Sequence, residues 1–400
     1  MKILIIGSGG REHAILNSLI GNEIYFTGSN AQMETLAQRV DISEMDNEAL
    51  LEFVVDNGIE LTIVGPEAPL KNGIVDTFLK NDLKIFGPTK AASKLEWSKE
   101  YAKEIMNKYD VPTAFYETFT DLDNAVRYVK DFNEIVIKYD GLAAGKGVVV
   151  ANNQDEAIDA LKMMFDSYGD KVIVEEFLDG YEFSLMAFVA GDKVYPMQVA
   201  QDHKRAFDGD LGPNTGGMGA YSPVPIVSDS DIDEATSILN KVAKGMVLEG
   251  NPFKGILYGG FIKTEKCVKV IEFNARFGDP ETEVVLPRLN SNLLDVFLSI
   301  INSTDIELEW NNDYTLGVVM ASKGYPLSYE KGFIIENALG IHMGTTLKND
   351  EVVTNGGRVL FVLGTGKTLI EAQRDAYEKV KQVRCENLFY RTDIGNNSLR

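Results

Sequence analysis

The sequence predicts a multidomain protein in which an α/β domain precedes α+β domains. Its 400 residues exceed the usual size of one hydrophobic core, so two or three domains are expected. Near the amino terminus, short apolar strands alternate with helical stretches, which is typical of a parallel sheet. Further along, pairs of apolar strands flank glycine turns, which is typical of antiparallel hairpins. We place the domains at residues 1–100, 101–292 and 293–400, the last being a small α+β domain.

Composition and charge limit the classes of function. A hydrophobic content of 44% and a charged content of 25% are ordinary for a globular protein. The 39 Lys and Arg residues against 60 Asp and Glu residues give a formal net charge of −21. So acidic a chain opposes general binding of nucleic acid or of an anionic membrane, although it permits a local cationic pocket for a small phosphate ligand. We therefore expect small-molecule substrates, with no nucleic-acid partner and no membrane partner.

The cysteines and the amino terminus indicate a compartment. Cys267 and Cys385 lie far apart and in no metal-ligand spacing, which suits a reducing environment. The sequence begins with a strand-like run rather than a signal peptide, and no apolar run approaches the length of a membrane span. We therefore expect a cytoplasmic protein.

Two features of the amino-terminal strands point to ligand binding. A glycine turn after the first strand opens a helix from Ala14, and Arg11 beside its backbone amides favours a phosphate there. The dinucleotide fingerprint needs a glycine at position 12, where Glu12 stands, so nicotinamide binding is disfavoured. Glu67 follows the strand at residues 61–64. It is a candidate site residue because parallel sheets bind ligands at the carboxyl ends of their strands.

A glycine-rich loop joins two β-branched strands, at residues 135–137 and 148–150. Its glycines are Gly141, Gly145 and Gly147. They let the backbone turn tightly and approach an anion, while Lys138 and Lys146 offer two ammonium groups to one polyphosphate. The spacing is not that of a P-loop. Taken alone, an ordinary hairpin with solvated lysines explains the stretch equally well.

A metal-binding pair is predicted on a later strand. Strand alternation places Glu272 and Asn274 on one face, with Ile271 and Phe273 directed to the core. A carboxylate and an amide oxygen are hard ligands that suit Mg²⁺, although a solvated sheet face explains the pair equally well in isolation. Arg276 follows directly and could hold a phosphoryl group or a substrate carboxylate bidentately, which favours the metal site.

Together these residues favour an ATP-dependent ligase or kinase. Phosphoryl transfer needs mainly positioning and charge neutralisation, and no covalent nucleophile is evident. The broken fingerprint weakens an oxidoreductase, and a non-catalytic nucleotide-binding module would not need a metal pair beside an arginine. The carboxy-terminal domain carries no evident catalytic constellation of its own.

Several longer motifs carry a family resemblance over residues 1 to about 395. They are residues 9–13, 64–70, 84–89, 140–147, 201–205, 212–223, 272–282 and 353–358. Together they resemble the phosphoribosylamine–glycine ligases, the glycinamide ribonucleotide synthetases of purine synthesis. The resemblance implies an amino-terminal parallel α/β (pre-ATP-grasp) domain, an ATP-grasp domain with a mobile lid at about residues 112–180, and a carboxy-terminal domain.

The activity implied is the ATP-dependent joining of glycine to 5-phosphoribosylamine in de novo purine biosynthesis. The products would be glycinamide ribonucleotide, ADP and phosphate, with glycyl phosphate as the intermediate. Another ATP-grasp carboxylate–amine ligase is the alternative. The resemblance also implies a free-standing enzyme, which we expect to be a monomer or a small homo-oligomer.

The resemblance assigns roles to matched residues. Lys138 and Arg276 would be catalytic, and Glu272 and Asn274 would hold Mg²⁺ or Mn²⁺. The residues that would contact ATP are Lys99, Lys138, Gly141, Gly145, Lys146, Gly147, Glu175, Glu176, Leu178 and Glu182. The residues that would bind the other substrates are Gly10, Arg11, Glu67, Asp202, Asn214, Thr215, Gly217 and Asp279.

Overall fold

The structure is a computed structural model that describes residues 1–141, 147–167, 169 and 171–398. Gly145 and Lys146, which were predicted to contact ATP, lie outside the described residues. In the part of the chain that is described, no helix is both long enough and apolar enough to span a membrane.

The amino-terminal strands form the predicted parallel sheet. The elements in order are β1 (Lys2–Ile6), α1 (Gly10–Ser18), β2 (Glu23–Thr27), α2 (Met33–Leu36), β3 (Gln38–Val40), α3 (Asn47–Asn57), β4 (Leu61–Val64), α4 (Glu67–Asn72), α5 (Ile74–Leu79) and β5 (Ile85–Phe86). The sheet order is β3-β2-β1-β4-β5, and every pair is parallel. The central strands β1 and β4 are mainly apolar and buried because helices cover both faces of the sheet, whereas the edge strand β3 is largely exposed.

The sequence predicted that helix α1 begins at Ala14, but in the structure it begins at Gly10. The side chain of Glu12 accepts a hydrogen bond of 2.7 Å from the backbone N–H of Gly9. That bond satisfies one of the amides at the start of the helix, so the first turn forms earlier. As a result Arg11 and Glu12 lie on the first turn of the helix rather than in the preceding loop.

Two short helices lead to an antiparallel unit. The elements are α6 (Lys94–Trp97), α7 (Lys99–Lys108), β6 (Tyr116–Phe119), α8 (Leu122–Val129), β7 (Ile135–Tyr139), β8 (Val148–Ala151), α9 (Gln154–Ser167) and β9 (Val172–Glu176). Strands β6 to β9 pair in the order β6-β9-β7-β8, and α8 and α9 pack on them around a hydrophobic cluster of their own. We call β6 to β9 with α8 and α9 the lid unit.

A second antiparallel sheet forms the floor beneath the lid unit. Its strands are β10 (Tyr181–Ala190) and β11 (Lys193–Pro196), followed later in the chain by β16 (Lys254–Lys263) and β17 (Val268–Asn274). The sheet order is β11-β10-β16-β17, and helix α10 (Asp229–Leu248) packs against it. Gly260 pairs with Glu272 but Phe261 pairs with Val270, so Ile271 is an extra residue in a bulge. The prediction that Ile271 points into the core is therefore wrong, whereas Phe273 is buried as expected.

The remaining elements form a third sheet that draws on two parts of the chain, here called the carboxy-terminal sheet, and two separate two-stranded hairpins. They are β12 (Gln201–Asp202), β13 (Arg205–Phe207), β14 (Leu211–Asn214), β15 (Gly219–Ser222), α11 (Thr282–Val285), α12 (Leu293–Asn302), β18 (Tyr314–Ser322), β19 (Ile341–His342), β20 (Thr345–Lys348), β21 (Glu351–Thr354), β22 (Arg358–Gly366), α13 (Leu369–Val380) and β23 (Leu388–Phe389), with 3₁₀ helices at Leu286–Arg288 and Asn396–Ser398. The strand order of the third sheet is β12-β15-β18-β22-β19, and β23 also pairs with β18. The two hairpins are β13-β14 and β20-β21. Strands on both sides of residue 293 thus share one sheet, which fixes the carboxy-terminal elements beside the floor.

Candidate active site

A cavity of about 1300 Å³ lies where the amino-terminal sheet, the lid unit, the floor and the carboxy-terminal sheet meet. The predicted site residues that line it are Arg11, Glu67, Lys99, Lys138, Gly141, Gly147, Glu175, Glu176, Leu178, Glu182, Asp202, Asn214, Thr215, Glu272, Asn274, Arg276 and Asp279. These residues come from positions far apart in the sequence, and the fold brings them together around one space.

Gly10 and Gly217 do not line the cavity. A Cβ added to Gly10 would lie 2.5 Å from Oε1 of Glu283, and one added to Gly217 would lie 2.5 Å from Cδ of Pro280. Gly217 also has a φ of +108°, which a side chain would strain. Both glycines therefore allow close packing behind the cavity wall, and their contact with substrate stays a prediction.

Two lysines converge at the end of the cavity near Gly141. Lys99 is the first residue of α7, whose start is capped by Ser98, and its Nζ donates to the carbonyl of Gly141 at 3.0 Å. Burial lowers the pKa of Lys99, and Glu272 opposes that shift. Lys138 is buried at the end of β7 and donates both to Oε2 of Glu175 and to the carbonyl of Ile271, each at 3.0 Å. This end of the cavity is therefore suited to an anionic group.

Glu175 and Glu176, both predicted to contact ATP, lie on β9 and are already paired with lysines. Oε2 of Glu175 lies 3.0 Å from the Nζ of Lys138 and 3.2 Å from the Nζ of Lys103. Oε1 of Glu176 lies 2.9 Å from the Nζ of Lys269. Strand β9 ends at Glu176, and Leu178 lines the cavity in the irregular segment that follows. Irregular backbone at this edge can offer N–H and C=O groups to a purine.

The predicted metal pair lies on β17 at the cavity floor. Glu272 and Asn274 are partly exposed on either side of buried Phe273. Burial raises the pKa of Glu272, but Lys204, Lys138 and Lys99 outweigh it and hold the pKa below its ordinary value. No group of three or more His, Cys, Asp or Glu side chains in the described residues is placed to hold a metal ion. A donor set of one carboxylate and one amide fits Mg²⁺, which takes its remaining ligands from water and phosphate oxygens.

Arginines and glutamates form a network at the amino-terminal edge. Arg276 lies between two carboxylates, with Nε 3.3 Å from Oε2 of Glu67 and Nη2 2.9 Å from Oε1 of Glu96. Arg11 forms an ion pair with Glu12, in which Nε of Arg11 lies 2.5 Å from Oε1 of Glu12. Burial raises the pKa of Glu67, but Arg276 and Arg11 more than offset this and lower it to about 2. Glu96, which the sequence analysis did not single out, thus helps to hold the guanidinium of Arg276 in place.

The carboxy-terminal domain supplies a cation that the sequence analysis missed. Nη1 of Arg358 lies 2.9 Å from Oδ1 of Asp279 and donates to the carbonyl of Gly216 at 2.6 Å. Burial lowers the pKa of Arg358, but the Asp279 carboxylate raises it above the ordinary value. The sequence analysis found no catalytic constellation in this domain and did not single out Arg358, which lines the cavity. The available signal was the motif at residues 353–358, which ends in this arginine.

The sequence analysis also missed a second cation, Lys204, which lies two residues after Asp202 in the motif at residues 201–205. Its Nζ lies 2.6 Å from Oε2 of Glu182, and its backbone carbonyl accepts from the hydroxyl of Thr215 at 2.8 Å. Burial raises the pKa of Asp202 to about 7, and Lys204 works against that shift. Glu182, predicted to contact ATP, thus has a lysine partner, and Asn214 at the end of β14 pairs with Arg205, the residue after Lys204.

Comparisons with known proteins agree along the whole chain. Models of the phosphoribosylglycinamide synthetase N domain, ATP-grasp (A) domain and C domain match residues 1–96, 97–282 and 315–397. A phosphoribosylamine–glycine ligase of Halalkalibacterium halodurans is 51% identical, over 100% of this chain and 97% of that protein. One of Lactococcus lactis is 49% identical over 100% of both chains.

Solved structures give the same result. The crystal structure of a phosphoribosylamine–glycine ligase from Thermotoga maritima has a TM-score of 0.88 at 34% identity, covering 99% of this chain and 100% of that one. A biotin carboxylase from Campylobacter jejuni has a TM-score of 0.75 at 13% identity, over 97% of this chain and 92% of that one, which is a likeness of fold alone. By its three domains and its full-length relatives, this chain belongs to the phosphoribosylglycinamide synthetase family.

Proposed function

We propose that the chain is an ATP-dependent ligase that joins glycine to 5-phosphoribosylamine, giving glycinamide ribonucleotide, ADP and phosphate. The relatives that match it from end to end carry the name of that activity. The observation that carries the proposal is the single cavity in which Lys99, Lys138, Glu272, Asn274 and Arg276 meet. Cations for phosphates, hard oxygen ligands and an arginine are the groups that phosphoryl transfer to a carboxylate requires.

The chemistry follows from the low reactivity of a carboxylate toward an amine. An oxygen of the glycine carboxylate attacks the γ-phosphorus of ATP, ADP leaves, and glycyl phosphate forms. The amine of phosphoribosylamine then attacks the acyl carbon and phosphate leaves. Lys138 and Lys99 hold the phosphates, and Arg276 stabilises the charge that passes between the oxygens. Arg276 can do this because Glu67 and Glu96 hold its guanidinium in place.

A divalent cation fits the same site. Glu272 and Asn274 would hold Mg²⁺ or Mn²⁺, which supplies positive charge to the phosphate oxygens of ATP. Glu272 is suited to this role because the surrounding lysines keep its pKa low.

Phosphoribosylamine fits the opposite side of the cavity. Arg11 lies on the first turn of α1, where backbone amides favour an anion, and Arg358 of the carboxy-terminal domain lines the same cavity. Two guanidinium groups suit a phosphate, and the carboxylates of Glu67 and Asp279 suit an amine and hydroxyl groups. We also propose three domains, at residues 1–100, 101–292 and 293–400, with the lid unit closing over ATP. The protein is proposed to be cytoplasmic and to be a monomer or a small homo-oligomer.

The test is a product assay over a panel of amino acids, with and without phosphoribosylamine. Glycine with phosphoribosylamine should give ADP and phosphate, with no AMP and no pyrophosphate. With glycine labelled by ¹⁸O in its carboxylate, one labelled oxygen should appear in the released phosphate. AMP as product, or unlabelled phosphate at full turnover, would overturn the mechanism. Preferred turnover of another amino acid would instead favour a different carboxylate–amine ligase.

A further inference from the structure

We propose that Lys103 is a positioning residue: it keeps the Glu175 carboxylate paired and in place, so that Lys138 can turn its ammonium group to an ATP phosphate. This inference rests on the proposed function, because it assumes that Lys138 binds ATP. It concerns a lysine to which the sequence analysis gave no role.

Lys103 is held in a buried position next to the phosphate end of the cavity. It lies on α7 one helical turn after Lys99, so the two side chains share a face of the helix. Only 2% of Lys103 is exposed. Its Nζ donates to the hydroxyl of Thr113 at 2.8 Å, and that hydroxyl donates to the carbonyl of Val270 at 2.9 Å. The ammonium group is therefore fixed to the cavity floor on one side.

On its other side Lys103 shares a carboxylate with Lys138. Both ammonium groups approach the same oxygen, Oε2 of Glu175, at 3.2 and 3.0 Å. Glu175 is 3% exposed, and its other oxygen, Oε1, is buried and has no hydrogen-bond partner within the described part of the chain. A buried carboxylate without a counter-charge is strongly destabilised, so Glu175 needs at least one of the two lysines at all times.

This sharing frees one lysine for the nucleotide. If Lys138 swings away to a phosphate, Lys103 still neutralises Glu175, and the carboxylate does not draw Lys138 back. Without Lys103, Lys138 would have to leave a buried carboxylate unpaired, and this cost would be subtracted from the affinity for ATP. Two ammonium groups and one carboxylate also leave a net charge of +1 at this end of the cavity, which attracts a polyphosphate.

The cluster also joins the lid unit to the floor. Glu175 and Lys138 belong to the lid strands β9 and β7, whereas Lys103 and the carbonyls of Val270 and Ile271 belong to the other side of the cavity. When Lys138 leaves the carbonyl of Ile271, the contact between Lys103 and Glu175 still holds the lid unit to the floor side of the cavity.

The experiment measures binding of a non-hydrolysable ATP analogue with Mg²⁺ by direct titration, alongside steady-state kinetics of the full chain. Lys103→Met should weaken binding at least about tenfold and raise the KM for ATP more than it lowers kcat. The double variant Lys103→Met with Glu175→Gln should bind at least about threefold more tightly than Lys103→Met alone, because no buried carboxylate then holds Lys138. Lys108→Met, which removes an exposed lysine on the same helix, should bind as the parent does.

The outcomes separate the two proposals. A parent protein that does not bind the nucleotide would overturn the proposed function and this inference with it. A parent that binds, with Lys103→Met within twofold of it or with a double variant as weak as the single one, would overturn this inference alone. If Lys103→Met does not fold, Lys103→Gln takes its place under the same criteria, since its amide keeps a donor for Thr113.

Discussion

At the scale of single residues, the cavity places a carboxylate against almost every cation that was predicted to bind a ligand. Arg276 has Glu67 and Glu96, Lys138 has Glu175, and the pairing of Lys204 with Glu182 follows the same rule. A buried charge costs several kcal/mol unless it is paired, so these carboxylates make a cationic site possible within a folded acidic chain. Glu272 differs, because three lysines surround it and lower its pKa without an ion pair to any of them.

This difference gives a prediction for Glu272. Glu272→Gln should lower kcat at saturating Mg²⁺ by about a hundredfold or more, because it removes the one negatively charged ligand of the predicted pair. The melting temperature should change by less than about 3 °C, since the glutamine fills the same partly exposed position. Glu265→Gln, in the exposed turn of the same hairpin, is the matched control and should leave both quantities unchanged. A normal turnover rate in Glu272→Gln would remove Glu272 from the site.

At the scale of elements, helix α1 connects the site to the junction between the first and last domains. Its first turn carries Arg11, and its next turn carries His13, which is buried against β19, the edge strand of the carboxy-terminal sheet. Nδ1 of His13 accepts a hydrogen bond of 2.8 Å from the backbone N–H of His342, and the two rings meet edge to face at 5.9 Å. This bond requires Nδ1 to be unprotonated, so the junction depends on a neutral histidine.

The junction should therefore be sensitive to acid. Burial, followed by the neighbouring His342, lowers the pKa of His13 from 6.5 to about 4. Below pH 6.5 the unfolded chain takes up a proton that the folded chain refuses, so stability is lost as the pH falls toward about 4. The loss attributable to His13 can reach about 3 kcal/mol. His13→Asn keeps an acceptor for the N–H of His342 but does not titrate.

The measurement is urea unfolding of the parent and of His13→Asn between pH 7.5 and pH 4.5. The parent should lose free energy of unfolding more steeply with falling pH than the variant does. His203 is present in both proteins, so its own lowered pKa cancels in the comparison. Parallel pH dependence in the two proteins would show that His13 does not titrate at the junction.

At the scale of the whole molecule, the end of the chain is tied to its middle. Arg391 is 1% exposed and lies 2.9 Å from Oδ1 of Asp210 and 2.7 Å from Oδ1 of Asp393. It also donates to the carbonyl of Arg205 at 3.0 Å. These bonds fix the hairpin of β13 and β14, which carries Asn214 to the cavity wall. The final segment thus shapes the site without contributing a reacting group.

Removing this tie should affect stability and substrate binding together. Arg391→Ala should lower the free energy of unfolding by about 2–3 kcal/mol, because it removes a buried guanidinium and its hydrogen bonds, whereas Asp210 and Asp393 stay partly exposed to water. The KM values for glycine and phosphoribosylamine should rise more than the KM for ATP, since the hairpin lies on the substrate side. Arg384→Ala, at an exposed position in the same domain, is the control. Equal changes in all three KM values would contradict a specific link to the hairpin.

The sequence by itself determined the features that depend on neighbouring residues. Strand-and-helix alternation predicted the parallel sheet, and the two-residue period of β17 predicted that Glu272 and Asn274 share a face. Longer motifs led to the family, which the domain models and the full-length relatives confirm. These are local properties, because a period or a motif is complete within a short stretch of chain.

Only the tertiary structure decided which groups meet across long distances in the sequence. Arg358 reaches Asp279, and Lys103 shares Glu175 with Lys138, although nothing in either local sequence names the partner. The bulge at Ile271 likewise depends on how β17 pairs with β16. Ion pairs and strand pairing are set by which surfaces the folded chain buries together. A local pattern can therefore supply a charged side chain, but the packing of separate domains chooses its counter-charge.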